Sequence, residues 1–313
     1  MGIQMKSISV PRRAAALLAS LMLVPFLTNY VYGLRGRPQL DFATFYFGAS
    51  VAVRDRLIPY DYPVLASAAE PVIGARPYAY LYPPTSLLFF APLTVLPYIW
   101  SMRAMLVLNA ALAAGIVALV WMGLGEARYK PLGLALLVYA GLYHPLAANM
   151  VNGQVNLAIV LMVWLAGMWL SRDQRPMGVA LLLAMAVGIK LYPAVLLLYL
   201  LIKRRFRILA LSLTILIALC IVSALLLPAS IWPVWLSEVL TTAGYGVSTE
   251  GYLPPADWEN QSLHGFCSRL WADSPRAGLG VAYVFSLLLV GGWGWVCFRP
   301  GPEVDQSEHI MLE

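Results

Sequence analysis

Residues 208–227 run for twenty positions without a charged side chain. A bilayer's hydrocarbon core, about 30 Å thick, is crossed by roughly 20 apolar residues in an α-helix. Inside that medium every backbone N–H and C=O must be paired within the chain, so a run of this kind commits the fold to helices. Seven further apolar segments read the same way, at 14–34, 82–97, 100–123, 131–149, 154–170, 177–201 and 276–298. Of the 313 residues 61% are hydrophobic and only 12% charged, against about 25% charged in an ordinary soluble domain. So few charges cannot cover a water-facing surface, which excludes a soluble enzyme, and so much hydrophobicity excludes an intrinsically disordered chain. The expected class is an all-α polytopic membrane protein with about eight apolar segments.

Topology follows from the basic residues. Lys6, Arg12 and Arg13 precede the first segment, and Lys203, Arg204, Arg205 and Arg207 form the densest basic cluster. Both belong on the cytoplasmic side by the positive-inside rule. Eight crossings satisfy both, but they leave Arg128, Lys130, Arg172 and Arg175 outside. A re-entrant 82–97, or a 177–201 folded as two half-helices around Gly188–Pro193, returns those charges to the cytoplasm. Under either topology, 35–81 is the first outer loop and 228–275 the last. Residues 1–298 then form a single transmembrane domain and 299–313 a polar cytoplasmic tail. The net charge of +6 concerns topology and anionic headgroups, with no nucleic-acid partner expected. The first segment is expected to be retained, because no small-residue cleavage site follows it.

The polar chemistry is concentrated in a few places. The first outer loop carries Arg35, Arg37, Arg54, Arg56 and Arg76 with Asp41, Asp55, Asp61 and Glu70, interleaved with aromatics. Within it, 41–57 reads as an amphipathic interfacial helix, with Phe42, Phe45, Tyr46, Ala49 and Val53 on one face. Asp41 opens that helix, either as an N-cap or as a general base at the mouth of a membrane cavity. Asp61 suits an Asx-turn or a binding role. Arg54, Arg56 and Arg76 suit lipid headgroups or phosphate recognition by guanidinium forks. Tyr80, Tyr82, Pro83 and Pro84 mark a helix entry at the interface.

Asn149, Asn152, Gln154 and Asn156 put four amides near one membrane boundary, a composition suited to sugar hydroxyls. Lys190 lies deep inside an apolar segment. An intramembrane cation is a functional candidate, here for a lipid phosphate, unless it snorkels to an interface. The last outer loop holds Trp258, Glu259, Asn260, Gln261, Ser262 and His264, side chains of a carbohydrate site. The chain has no P-loop, no His-Glu-x-x-His and no Asp-x-Asp pair, which argues against an ATPase, a zinc protease and a metal-dependent nucleotide-sugar transferase. Three cysteines, an odd count, argue against a disulfide framework.

The ordered series Asp41-Phe42…Phe45-Tyr46, Tyr60-Asp61, Tyr82-Pro83-Pro84, Asn152-Gly153-Gln154, Lys190…Pro193 and Asn260-Gln261-Ser262 resembles glycosyltransferase family 87 over about residues 30–270. The resemblance implies a GT-C-type transmembrane helix bundle with interfacial helices in its first outer loop. It also implies a polyprenyl-phosphate-sugar donor, mannose above all, a glycolipid or glycan acceptor, and neither metal nor other cofactor. The family's catalytic Asp matches Asp41. Tyr46, Arg54, Arg56, Asp61, Tyr82, Asn152, Gln154, Lys190, Asn260, Gln261 and His264 are the expected substrate-binding residues. Residues 271–313 carry no counterpart of the family's Pro–Ser–Trp–His-type segment, so a shortened member is expected.

The expectation is an inverting transferase of the cell membrane, multi-pass, with its active site on the extracytoplasmic face. A lipid or solute transporter, or an inactive lipid-binding form, is the alternative.

Overall fold

A computed structural model describes residues 38–123, 144–242, 250, 251, 254, 256, 257, 260 and 262–298. The segment expected at 14–34, most of that at 131–149, Gln261 and the tail 299–313 lie outside the described residues. Every regular element among those described is helical. In chain order they are α1 (Leu40–Val53), α2 (Tyr62–Ile73), α3 (Pro84–Phe90), α4 (Tyr98–Gly123), α5 (His144–Val151), α6 (Asn156–Ser171), α7 (Pro176–Ile189), α8 (Val195–Ile202), α9 (Phe206–Leu226), α10 (Ile231–Val234), α11 (Leu263–Leu270) and α12 (Pro275–Phe298). A π-helical stretch, Trp235–Val239, prolongs α10 and runs into a last short helical turn, Leu240–Thr242.

Among the described residues three helices are long and apolar enough to cross a membrane: Tyr98–Ile116 within α4, then α9 and α12. Their outer faces stay apolar and uncovered, as Ile217, Ile221 and Leu225 on α9 and Leu287, Leu288 and Leu289 on α12 show. Exposed apolar surface on this scale belongs against lipid.

Other expected crossings are shorter. The 82–97 segment yields α3 and a 3-10 turn, Ala91–Val95, because Pro92 and Pro97 interrupt it. At about 1.5 Å per residue that piece cannot bridge the hydrocarbon core. The 177–201 segment is two helices, α7 and α8, separated by Lys190 in extended conformation and a 3-10 turn, Tyr192–Ala194. The half-helix alternative therefore matches the observed break, and the count of eight crossings is not reproduced among the described residues.

Helix α1 corrects the reading of 41–57 as an interfacial helix with one apolar face. Phe42 through Ala49, Val51 and Ala52 are all buried. A helix apolar all round is a buried helix, and α1 is the centre of the core rather than its rim. Phe45 stacks on Phe90 with centroids 4.4 Å apart, and Phe47 stacks on Tyr98 at 5.4 Å. Gly48 lets the Tyr80 ring close against the helix, since a Cβ there would stand 2.5 Å from Tyr80 Cδ2. A second cluster, built on Val179, Ala180, Leu183 and Leu200, packs α7 against α6, α8 and α9.

Candidate active site

The break after α7 has a local cause. Pro193 has no N–H to offer the Ile189 carbonyl, so the helical ladder cannot continue through it. Lys190 takes φ −142° and ψ 143°, and its backbone N–H still bonds the Ala186 carbonyl at 3.1 Å. Thr85 Oγ1 donates to the Gly188 carbonyl at 2.6 Å, satisfying one group at the end of α7. The extended residue turns its side chain away from the helix axis. Its half-buried ammonium donates to Gln154 Oε1 at 2.9 Å and to Asn156 Oδ1 at 3.0 Å. It also lies 5.0 Å from the centroid of the Tyr82 ring, a cation–π distance.

Gln154 is delivered by the turn between α5 and α6. Gly153 there has φ +67°, and a Cβ would come 2.4 Å from Gln39 Oε1 and 2.6 Å from Phe42 Cβ. Glycine is required on both counts. The close approach lets the Phe42 N–H donate to the Asn152 carbonyl at 3.0 Å, which satisfies an orphan donor in the first turn of α1.

Asp41 is the residue before Phe42. The N-cap position belongs to Gln39, so Asp41 sits inside the first turn, where the positive end of the helix favours a carboxylate. The Asp41 carboxylate acts electrostatically on the Lys190 ammonium. Four separate stretches of chain thus bring Asp41, Tyr82, Asn152 with Gln154, and Lys190 to one place.

Reading the sequence missed two members of this region. Asn109, fully buried in α4, donates from Nδ2 to the Gln154 carbonyl at 3.0 Å, and Asn149 does so at 3.4 Å. Gln39, also fully buried, donates to the Met150 carbonyl at 3.5 Å. Among the described residues, the side-chain oxygens of Gln39, Asn109 and Asn149 have no hydrogen-bond donor. The available signal was Asn109 itself, an amide inside an apolar helix, where a polar side chain ordinarily has an interhelical partner.

Other expected residues stand elsewhere. Tyr46 is a core residue, its ring edge-on to Phe47 and Tyr98 and its hydroxyl donating to the Leu96 carbonyl at 2.7 Å. The Arg54 guanidinium bonds the Thr94 carbonyl at the end of the 3-10 turn, and that of Arg56 bonds the Leu226 carbonyl at the end of α9. Cations at such carbonyls complement helix C-termini. Asp61 is exposed at the N-cap position of α2, without a side-chain bond to the first turn.

Asn260 Oδ1 accepts from the Ser262 hydroxyl at 2.7 Å, and Ser262 Oγ caps α11 by accepting from the Gly265 N–H at 3.0 Å. Gly265 has no room for a Cβ, which would meet the Asn260 carbonyl at 2.2 Å. His264 rides on α11, which packs on α12, so this is a second polar cluster. Among the described residues no group of three His, Cys, Asp or Glu side chains could hold a metal ion. Cys220, Cys267 and Cys297 are free thiols.

Two curated relatives resemble the chain. Both are polyprenol-phosphate-mannose-dependent alpha-(1-2)-phosphatidylinositol mannoside mannosyltransferases. The one from Mycobacterium tuberculosis is 27% identical over 234 residues, covering 70% of this chain and 52% of the relative. That from Mycolicibacterium smegmatis is 28% identical over 290 residues, covering 90% of this chain and 61% of the relative. The chain thus spans between half and two thirds of the length of these relatives. No solved structure matches it. The sequence profile of glycosyltransferase family 87 matches residues 80–308, nearly three quarters of the chain and inclusive of Tyr82, Gln154 and Lys190, and the chain belongs to that family.

Proposed function

We propose that the chain transfers a mannosyl group from a polyprenyl-phosphate donor to a glycolipid of the cell envelope, at the extracytoplasmic face of the membrane. The observation that carries this reading is the Lys190 ammonium held by the Gln154 and Asn156 side chains beside the Tyr82 ring, at the turn whose Asn152 carbonyl meets the Asp41–Phe42 start of α1. Transfer from a lipid phosphate requires one base and one anion partner, and Asp41 and Lys190 supply them.

The step balances as a direct displacement. The acceptor hydroxyl gives its proton to the Asp41 carboxylate while its oxygen forms the new bond to the anomeric carbon. The bond from that carbon to the phosphate oxygen breaks, and its electron pair leaves with the polyprenyl phosphate. A single carboxylate with direct attack inverts the anomeric centre. Negative charge grows on the departing phosphate, where a fixed cation such as Lys190 lowers the barrier more than in water. Tyr82 and the Gln154 and Asn156 amides surround the Lys190 ammonium and, with Asn152 of the same turn, suit the sugar. Asp61, Asn260 and His264 are assigned to the acceptor or its headgroup, while Arg54 and Arg56 are taken up by helix-end carbonyls.

The test is a transfer assay. Full-length protein in liposomes receives radiolabelled polyprenyl-phosphate-mannose and an envelope glycolipid extract, with Asp41→Asn in parallel. Label is expected in the extract with the native chain, and a loss of about 10²–10⁴-fold with the variant. Undiminished transfer by Asp41→Asn at equal membrane content would remove the base assignment. The broken α7–α8 pair around a buried cation also suits a transporter. Movement of labelled lipid across the bilayer without a covalent product would favour that reading.

A further inference from the structure

At the end of α7 remote from Lys190, the packing of α6, α7 and α8 leaves an open cleft of about 510 Å³. Its accessible wall is apolar, made by the half-buried Val163, Leu170, Leu196 and Tyr199, and the buried Val179, Leu183 and Leu200 lie beneath it. Its mouth is cationic, with Lys203 and Arg205 on its edge and the exposed Arg204 between them. The turn that holds these cations is fixed. The Arg205 N–H donates to the Leu200 carbonyl at 2.8 Å and the Arg204 N–H to Leu201 at 3.0 Å. Arg204 sits at φ +55°, where a helix end ordinarily uses glycine. Asp173 pairs with Arg205 at 2.5 Å, and Lys203 and Arg204 add two further cations to the same turn.

We propose that this cleft is a binding site for an anionic phospholipid of the surrounding membrane. One acyl chain would lie along the Val163, Leu170 and Leu196 wall, with the phosphate at Lys203 and Arg205. Basic pockets between membrane helices recognise lipid headgroups by this combination of apolar wall and cation. The polyprenyl-phosphate donor is not the occupant. The fourteen residues of α7 put roughly 20 Å between this mouth and Lys190.

Gly167 supplies the decisive variant. It lines the cleft, and a Cβ built on it meets nothing within 4 Å. Gly167→Leu therefore narrows the cleft with no clash at its Cβ, while Lys203→Gln/Arg205→Gln removes the charge. Full-length protein, delipidated in detergent, is titrated with phosphatidylglycerol or phosphatidylcholine, and retained lipid is counted by native mass spectrometry. Thermal unfolding checks that both variants are folded.

Phosphatidylglycerol is expected to be held more tightly than phosphatidylcholine. The charge variant should weaken it about thirtyfold, as expected for two cations near a headgroup. Gly167→Leu should abolish the difference between the two lipids. Equal retention of both lipids by the native protein, or phosphatidylglycerol retained unchanged by folded Gly167→Leu, would overturn the proposal. So would polyprenyl phosphate displacing phosphatidylglycerol one for one, which would make the cleft a donor site.

Discussion

The Lys190 ammonium stands 2.9 Å from the Gln154 side-chain oxygen, which locks the break after α7 to the turn that precedes α6. Neither feature is stable alone in an apolar medium. The cation loses two hydrogen-bond acceptors without the amides, and the two amide oxygens lose this donor without the cation.

Replacing that cation separates electrostatics from packing. Lys190→Met keeps the stem and deletes the charge, and transfer from the lipid donor is expected to fall about 10²–10³-fold, the usual cost of removing one fixed charge-stabilising donor. Lys190→Arg should keep a measurable part of the rate. Initial rates in matched liposomes decide this. A Met variant that is folded and fully active would remove Lys190 from the chemistry.

Gly153→Ala tests the turn. The new methyl would meet the Gln39 oxygen and Phe42 in a backbone conformation that already disfavours side chains. A loss of about 1–3 kcal/mol is expected, with transfer reduced because Asn152 no longer holds the first turn of α1. The apparent Tm in detergent, read beside the transfer rate, checks both. A variant with native Tm would mean that the close approach is not sterically controlling.

The extent to which the sequence forecast this arrangement differs by residue. Lys190 stood out because an isolated cation in an apolar run is costly and needs a reason. Asn152-Gly153-Gln154 stood out because it interrupts two such runs. The helical class followed from apolar run length alone. Helix α1 was misread because its aromatic spacing also fits a one-faced helix. Periodicity reports which residues are apolar, and burial on the remaining face depends on what packs there. The arginines were read by charge type, yet Arg54 and Arg56 bond helix-end carbonyls contributed by residues 40 and 170 positions away. Spacing along the chain carries no trace of such partners.

Alkaline pH should expose the buried phenols under α1. Tyr60 donates to the Tyr82 carbonyl at 2.8 Å and Tyr80 pairs with Ser86 at 2.6 Å. Burial raises the pKa of both above the ordinary phenol value of 10.0. The folded chain therefore keeps protons that the unfolded chain loses, so stability falls as pH rises from about 10 upward and these groups contribute no slope below it. Thermal unfolding at about pH 8 and about pH 11 should show the drop. Tyr80→Phe, which cannot ionise, should show a smaller one. An equal drop in the variant would mean that other groups set the alkaline limit.

Asn109 offers a sharper test, because its two ends pull stability in opposite directions. Its amide nitrogen holds the Gln154 carbonyl at 3.0 Å, while its oxygen is buried without a donor. Asn109→Leu forfeits a hydrogen bond worth about 1 kcal/mol and relieves an orphan acceptor costing about 1–3 kcal/mol. Stability should therefore be unchanged or slightly raised. Among the described residues, the Gln154 carbonyl would be left with the longer 3.4 Å contact from Asn149. Its side chain would then hold Lys190 less firmly, and kcat should fall with little change in KM for the donor. Melting curves and steady-state rates on the same preparation distinguish the two effects. A lowered Tm with native kcat would make Asn109 a purely structural residue of α4, with no part in aligning the cation.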